Sequence, residues 1–173
     1  MILIDVEGGT KSMRLLTEHA TFMTLQRLLP RKRTLNIDIE IKNTLKEGAW
    51  GTASNATTDR QQFHWMELHN KPPSLYSHIQ TLCHEAVHIS QAVNKHWHHR
   101  GNRSLWKGED HTNTPYRQQP WEVEAFKLEK TLAKMYLKDI GLTIKRAKEL
   151  DVRQFKLDKH LGLEWWEPLK VEI

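Results

Sequence analysis

Three residues near the middle of the chain have types and spacing that suit metal chemistry. His84, Glu85 and His88 form the pattern H-E-x-x-H. On a helix, positions i and i+4 lie one turn apart on one face, so both imidazoles can reach a single tetrahedral ion. Glu85 directly follows the first imidazole and is placed to take a proton from metal-bound water, whose pKa the ion lowers toward about 7. The pattern therefore predicts a hydrolytic metal site.

The residues around this pattern predict the helix that it requires. Ser74 can cap a helix, and apolar residues recur at helical spacing through 75–95. The apolar stripe consists of Leu75, Tyr76, Ile79, Leu82, Cys83, Ala86, Val87 and Val93. His84 and His88 project away from this stripe, so the helix is expected to bury one side and to turn its histidines toward another partner. The alternative is a pair of surface histidines on an ordinary amphipathic helix.

A catalytic zinc needs a third protein ligand and leaves its fourth position open. The metzincin pattern would place a glycine at position 91 and a histidine at position 94, where this chain has Gln91 and Asn94. That class is therefore excluded. The remaining candidates are the acidic pair Glu122 and Glu124 and a group of histidines, namely His96, His98, His99 and His111.

A helix predicted over 120–139 favours Glu122 as the third ligand. When this segment is projected at 100° per residue, Glu122 falls within the apolar face and Glu124 lies at its margin. A carboxylate on a dry face needs a partner, because burying an unpaired charge is costly. A metal ion held by His84 and His88 would be such a partner.

Other roles stay open for the neighbouring residues. Glu122 could instead form a buried salt bridge with an arginine such as Arg14. Glu129, two turns after Glu122, is either an acceptor for the second N–H of a ligating histidine or a surface partner of Lys130 or Lys134. Cys83 faces the core and is expected to be a small buried hydrophobe.

The remaining patterns predict an α+β domain in which strands precede the helix 75–95. MILIDV is β-prone, the run over 11–29 has helical spacing, and TLNIDIEIKN alternates strictly between apolar and polar residues. A short strand is expected around 49–53, and RQQFHWMELH suits an edge strand or a hairpin arm. Residues 96–119 are expected to form an irregular polar connection. The prediction is one domain over 1–173, with helix and antiparallel strands in 1–74 and a helical tail in 140–173.

Composition and charge narrow the class of protein. The 173 residues carry a formal net charge of +5 and a single cysteine, which fits one domain in a reducing compartment. No apolar run could span a bilayer, and the first residues lack a secretory signal, so a cytoplasmic protein without a membrane partner is expected. Basic stretches such as 31–33 and 95–107 allow weak, non-specific nucleic-acid binding.

The string TLCHEAVHISQ, followed by LWKG and YRQQPWEVEAF, resembles the small zincin-fold metallopeptidases of phages and bacteria. The resemblance covers about residues 75–130. In that family a helix with an E-x-x-A element follows the H-E-x-x-H helix, and EVEA fits this element. The resemblance implies a minimal zincin fold with a small antiparallel sheet. It implies Zn²⁺ held by His84, His88 and Glu122, Glu85 as general base, a protein or peptide substrate, and a cytoplasmic setting such as a phage-infected cell.

The same resemblance implies how a substrate would be held. In zincin-fold peptidases the strand before the active-site helix lies at the rim of the cleft, where an exposed edge can pair with an extended peptide. RQQFHWMELH is the candidate, with Phe63 or Trp65 either lining a side-chain pocket or packed in the core. An electrophile facing the oxyanion is also expected, and Tyr116 and His111 are the candidates.

Two other functions stay open at this point. SprT-like proteases, which act on protein bound to DNA, take a third histidine after the motif. KHWHHRGNRSLW lies where that histidine would fall, but Arg100 separates His99 from Gly101, so the usual His-Gly pair is missing. A non-catalytic, zinc-stabilised binding module would instead close the site with a fourth ligand such as His98 or His99.

Overall fold

The computed structural model describes residues 1–31, 34–58 and 61–162, with only the backbone described for 55–58 and 61–62. In chain order its elements are β1 (Ile2–Gly8), α1 (Lys11–Leu28), β2 (Leu35–Lys42), β3 (Gly51–Thr58), β4 (Gln61–His69), α2 (Leu75–Val93), β5 (Trp97–Arg100), β6 (Arg103–Trp106), β7 (Glu109–Asp110), α3 (Pro120–Asp139), α4 (Ile144–Glu149) and α5 (Leu157–His160). The three long helices agree with the predicted bounds to within two residues.

Four strands form a mixed sheet in the order β1-β2-β4-β3. β1 pairs with β2 and β2 with β4 in parallel, whereas β3 runs antiparallel to β4. The predicted α+β class is confirmed, but this sheet is not the wholly antiparallel one that the sequence suggested. The reason is that α1 carries the chain back to the starting edge before β2 begins, as a parallel pair requires.

One face of the mixed sheet is dry, and the three long helices pack on that side. On β2, Ile37 and Ile39 are at most 2% exposed, while Asp38 and Glu40 point to the opposite, exposed face. Helices α1 and α2 pack against the dry face, and α3 packs against α2. Because α2 lies between the sheet and α3, 14 of its 19 residues are buried. The metal motif thus sits on the most enclosed helix of the domain.

Strand β4 is a hairpin arm, as predicted, but it is not an edge strand. It lies between β2 and β3, so β1 and β3 form the two edges of the sheet. His64 and Met66 face the core, while Trp65 is 39% exposed on the open face, which Phe63 shares by strand alternation. Neither aromatic can line a pocket beside α2 or join the core. Alternation within a strand shows which of its faces is buried but not which strands pair with it. The sequence therefore could not show whether β4 lies at an edge or inside the sheet.

The segment 96–119 is not irregular throughout, because it contains a second, small antiparallel sheet in the order β5-β6-β7. Trp97 pairs with Trp106 and Arg100 pairs with Arg103 across the β5–β6 hairpin. Strands of four residues or fewer with many histidines and arginines carry too little alternation to be recognised. These short strands are instead held in place by Trp97, whose ring stacks on Trp121 of α3.

After α3, where the sequence predicted a helical tail, residues 140–162 contain two short helices separated by turns and irregular segments. Helices α4 and α5 follow a turn at Gly141, and α2 and α4 are in contact. Residues 163–173 lie outside the described residues. None of the helices in the described ranges has the length and hydropathy needed to cross a bilayer.

Candidate metal centre

Helix α2 presents its two motif histidines to α3. The Ser74 side chain accepts a hydrogen bond from the backbone N–H of Ser77 at 3.1 Å and so caps the first turn. Ile79 and Leu82 are fully buried on the core side of the helix. The predicted orientation of the helix is thus present, with its apolar stripe in the core and its histidines against a neighbouring element.

The three predicted ligands form one buried group. His84 Nε2 lies 3.1 Å from His88 Nε2 and 3.2 Å from Glu122 Oε2, and His88 Nε2 lies 3.3 Å from Glu122 Oε1. The three residues are only 6–8% exposed. This group could hold a metal ion. Arg14 does not bind Glu122, since its guanidinium donates to the backbone carbonyls of Gly8 and Gly9.

The charges of the group suit a cation. Burial opposes protonation of His84, but hydrogen bonds to Glu122 and Glu129 outweigh it and raise the pKa of His84 to about 9. Burial likewise favours the neutral form of Glu122, yet its hydrogen bonds from His84 and His88 lower its pKa to about 2. Glu122 is therefore ionised, as a carboxylate must be to bind a metal. Its negative charge stabilises positive charge on the neighbouring His84.

Glu129 orients the first histidine. His84 Nδ1 donates to Glu129 Oε2 at 2.8 Å, and Gln80 Nε2 donates to Glu129 Oε1 at 2.5 Å. Glu129 is 6% exposed, so it is the predicted acceptor for a ligand histidine and not a surface partner of a lysine. Because Nδ1 donates to Glu129, loss of the Nε2 proton on metal binding would leave the Nε2 lone pair of His84 facing the group.

Gln91 orients the second histidine, and sequence reasoning missed it. Gln91 Nε2 donates to the Trp121 carbonyl and to Glu124 Oε2, both at 2.9 Å. Its Oε1 must therefore face His88, whose Nδ1 donates to it at 2.9 Å. Glu124 thus accepts a hydrogen bond from Gln91, and its carboxylate does not belong to the group of His84, His88 and Glu122. The available signal was the position of Gln91, three residues after His88 on the same helix face.

The alternative histidine ligands lie outside the group. Within the described residues, only His84, His88 and Glu122 converge on one point. The other histidines have contacts elsewhere: His96 with the Trp106 ring, His99 with Ser104, and His111 with Thr114 and Glu109; His98 is exposed. Among the described residues, no histidine therefore joins the group as the third ligand of the SprT-like interpretation or as the fourth ligand of a closed site.

Aromatic rings surround the group. The Phe126 ring centroid is 4.8 Å from that of His84, and the Trp97 ring centroid is 5.2 Å from that of His88. Tyr116 precedes α3, is 56% exposed, and lies close enough to Glu122 to lower the pKa of that carboxyl. Burial and the nearby Glu122 carboxylate raise the pKa of Tyr116 to about 12. Tyr116 therefore lies at the rim of the group, whereas His111 contacts Thr114 and Glu109.

Glu85 lies under the edge strand β3. It is 6% exposed, and burial raises its pKa, although the nearby His88 and His84 oppose this effect. Gly51 of β3 lies so close that a Cβ there would be 2.6 Å from Thr81 Cγ2 and 3.1 Å from Glu85 Cγ and Oε1. The strand can approach Glu85 only because position 51 has no side chain.

We expect Gly51→Ala to destabilise the protein by about 1–3 kcal/mol, because the added methyl overpacks a filled space. The free energy of unfolding in urea measures this effect. Gly51→Ala combined with Thr81→Ser, which removes the methyl closest to the new Cβ, should recover part of the loss. A Gly51→Ala protein as stable as the wild type would show that β3 does not press on α2.

We expect Glu129→Gln to weaken metal binding about tenfold, at the lower end of the range for such outer partners, because the amide can still accept from His84. Competition with a chromophoric chelator measures the affinity. Glu149→Gln is the matched control, since this glutamate is exposed and, among the described residues, pairs only with Arg146. Equal affinities of the two variants would contradict the orienting role of Glu129.

No family model, curated protein or solved structure matches this chain. The resemblance to zincin-fold peptidases therefore stays a prediction from the motifs. Function is therefore inferred from the buried group of His84, His88 and Glu122 and from its surroundings.

Proposed function

We propose that this protein is a zinc metallopeptidase of the zincin type, which hydrolyses peptide bonds with Glu85 as general base. The observation that carries the proposal is the spacing of 3.1–3.3 Å among the donor atoms of His84, His88 and Glu122. Ligands at about 2.0–2.1 Å from a tetrahedral zinc are separated by roughly 3.3 Å. Two imidazoles with one carboxylate also suit zinc better than magnesium or calcium.

The number of ligands supports catalysis over a structural role. Structural zinc sites have four protein ligands, whereas catalytic sites have three and leave one position for water or substrate. Only three ligands converge in the described part of this chain. Zinc bound there supplies a Lewis acid that acidifies coordinated water and polarises a substrate carbonyl.

The chain's own residues supply the proton transfers. Glu85 takes a proton from the attacking water and then delivers it to the leaving amine. Its burial, which raises its pKa, suits a group that must hold that proton between the two steps. The hydroxyl of Tyr116, with a pKa of about 12, stays protonated at neutral pH and can donate to the oxyanion. Glu129 and Gln91 keep the two imidazoles in position.

We assign the substrate-pairing edge to β3 instead of β4. In the described part of the chain, β3 pairs only with β4, and it approaches Glu85 at Gly51. An extended peptide could add to its free side by backbone hydrogen bonds and reach the metal group beside α2. The strand predicted for this role from the sequence is its neighbour in the same hairpin.

The experiment that tests the proposal is digestion of a mixture of peptides of varied sequence, followed by mass spectrometry of the products. The zinc-loaded protein should generate new termini, the chelated protein should not, and restoring zinc should restore the cleavage. If the zinc-loaded protein cleaves no member of the mixture, or cleavage persists unchanged after chelation, the proposal fails.

A further inference from the structure

The β5–β6 hairpin carries a concentrated positive charge next to the group of His84, His88 and Glu122. Residues 95–108 contain no acidic side chain. Four side chains of fixed positive charge in this segment are exposed: Lys95, Arg100, Arg103 and Lys107. His98 and His99 are exposed between them. The whole exposed surface of the hairpin is thus basic or neutral.

Two of these cations face each other. Arg100 lies directly opposite Arg103 at the end of the hairpin, and like charges at opposed positions destabilise an antiparallel pair. The nearest carboxylate, Asp110 Oδ2, is 3.9 Å from the Arg103 guanidinium. No salt bridge to Arg100 occurs in the part of the chain that the structure describes. A bound anion would relieve this repulsion.

The hairpin does not need these cations for its own position. The Trp97 ring stacks on the Trp121 ring at 5.1 Å, with 11° between the planes, and also packs against His88. Lys107 lies over the Trp106 ring, 5.4 Å from its centroid. Ring packing therefore fixes the hairpin to α2 and α3, and the two arginines project from a support that is already ordered.

We infer that the β5–β6 hairpin binds the phosphate backbone of double-stranded nucleic acid. Its four-residue strands are roughly 13 Å long, close to the width of about 12 Å of the DNA major groove, which admits a two-stranded ribbon. Cations at both ends of such a ribbon can contact phosphates on both strands, and the arginine fork matches phosphate geometry. An extended acidic peptide would meet only one side of the ribbon. This inference does not depend on the proposed peptidase function.

Fluorescence anisotropy with a labelled duplex DNA of 20 base pairs tests the inference. If all four cations contact phosphates, affinity should fall roughly 150-fold between 50 and 200 mM KCl. A variant with Arg100→Gln, Arg103→Gln and Lys107→Gln should bind at least about tenfold more weakly at 50 mM, and its affinity should change only about fourfold over the same range. Arg100→Gln and Arg103→Gln singly should each lower the salt dependence.

The matched control removes three cations from the exposed side of α3 by replacing Lys127, Lys130 and Lys134 with glutamine. It has the same net charge as the hairpin variant and should bind DNA as the wild type does. Equal weakening of the two variants, or no binding by the wild type at 50 mM KCl, would overturn the inference. So would displacement of the DNA by polyglutamate as effectively as by unlabelled duplex. Circular dichroism and metal content confirm that each variant is folded.

Discussion

Glu85→Gln is expected to bind metal as the wild type does and to lose peptide hydrolysis by about 10²- to 10⁴-fold, the contribution typical of a general base. Glutamine has the size of glutamate but cannot accept the proton of the attacking water. Glu85 does not belong to the group of His84, His88 and Glu122, so its replacement should leave metal binding unchanged. Cleavage rates of a peptide substrate, normalised to bound zinc, measure the effect.

Two controls make the Glu85 result specific. Glu149→Gln removes the same charge from an exposed position and should leave hydrolysis unchanged. Thermal unfolding of the Glu85→Gln protein should show that the buried amide is tolerated beside Gly51. Turnover within tenfold of the wild type in Glu85→Gln would contradict its role as the base.

The second large effect is expected from Glu122→Ala, which should weaken metal binding by more than about 100-fold, beyond the loss typical of outer partners. The substitution removes one of the three grouped side chains and, among the described residues, the only carboxylate that contacts both imidazoles. Zinc per chain after dialysis against a weak chelator, measured by elemental analysis, records this loss directly.

Glu124→Ala is the matched control for Glu122→Ala. Both substitutions remove a carboxylate from the first turns of α3, but Glu124 contacts Gln91 and lies outside the ligand group. We expect it to lose no more than about tenfold in affinity, as a residue acting through Gln91 on His88. Full zinc retention in Glu122→Ala would move the third ligand to Glu124 or to a histidine in 96–111.

The group of His84, His88 and Glu122 could be predicted from the sequence because each helix carries its own local pattern. His84 and His88 are one helical turn apart, and Glu122 is conspicuous as a carboxylate on an apolar helix face. Chemistry then links the two helices, since a buried carboxylate requires a cationic or hydrogen-bonding partner. The structure brings the three residues together as that argument expected.

The features that could not be predicted depend on pairing between distant segments. The place of β4 inside the sheet follows from its neighbours β2 and β3. The small second sheet depends on Trp97 meeting Trp121, 24 positions further along the chain. Gln91 acquires its role only because α3 brings Glu124 and the Trp121 carbonyl within reach. None of these contacts leaves a periodic pattern in the sequence.

If zinc at His84, His88 and Glu122 makes this protein a peptidase, as we propose, cleavage must depend on bound zinc. The most direct test is to titrate the metal-free protein with zinc and to follow both bound metal and peptide cleavage in one sample. We expect cleavage to rise in proportion to bound zinc and to stop rising at a single ion per chain. Full occupancy without cleavage, or cleavage that does not follow zinc, would contradict it.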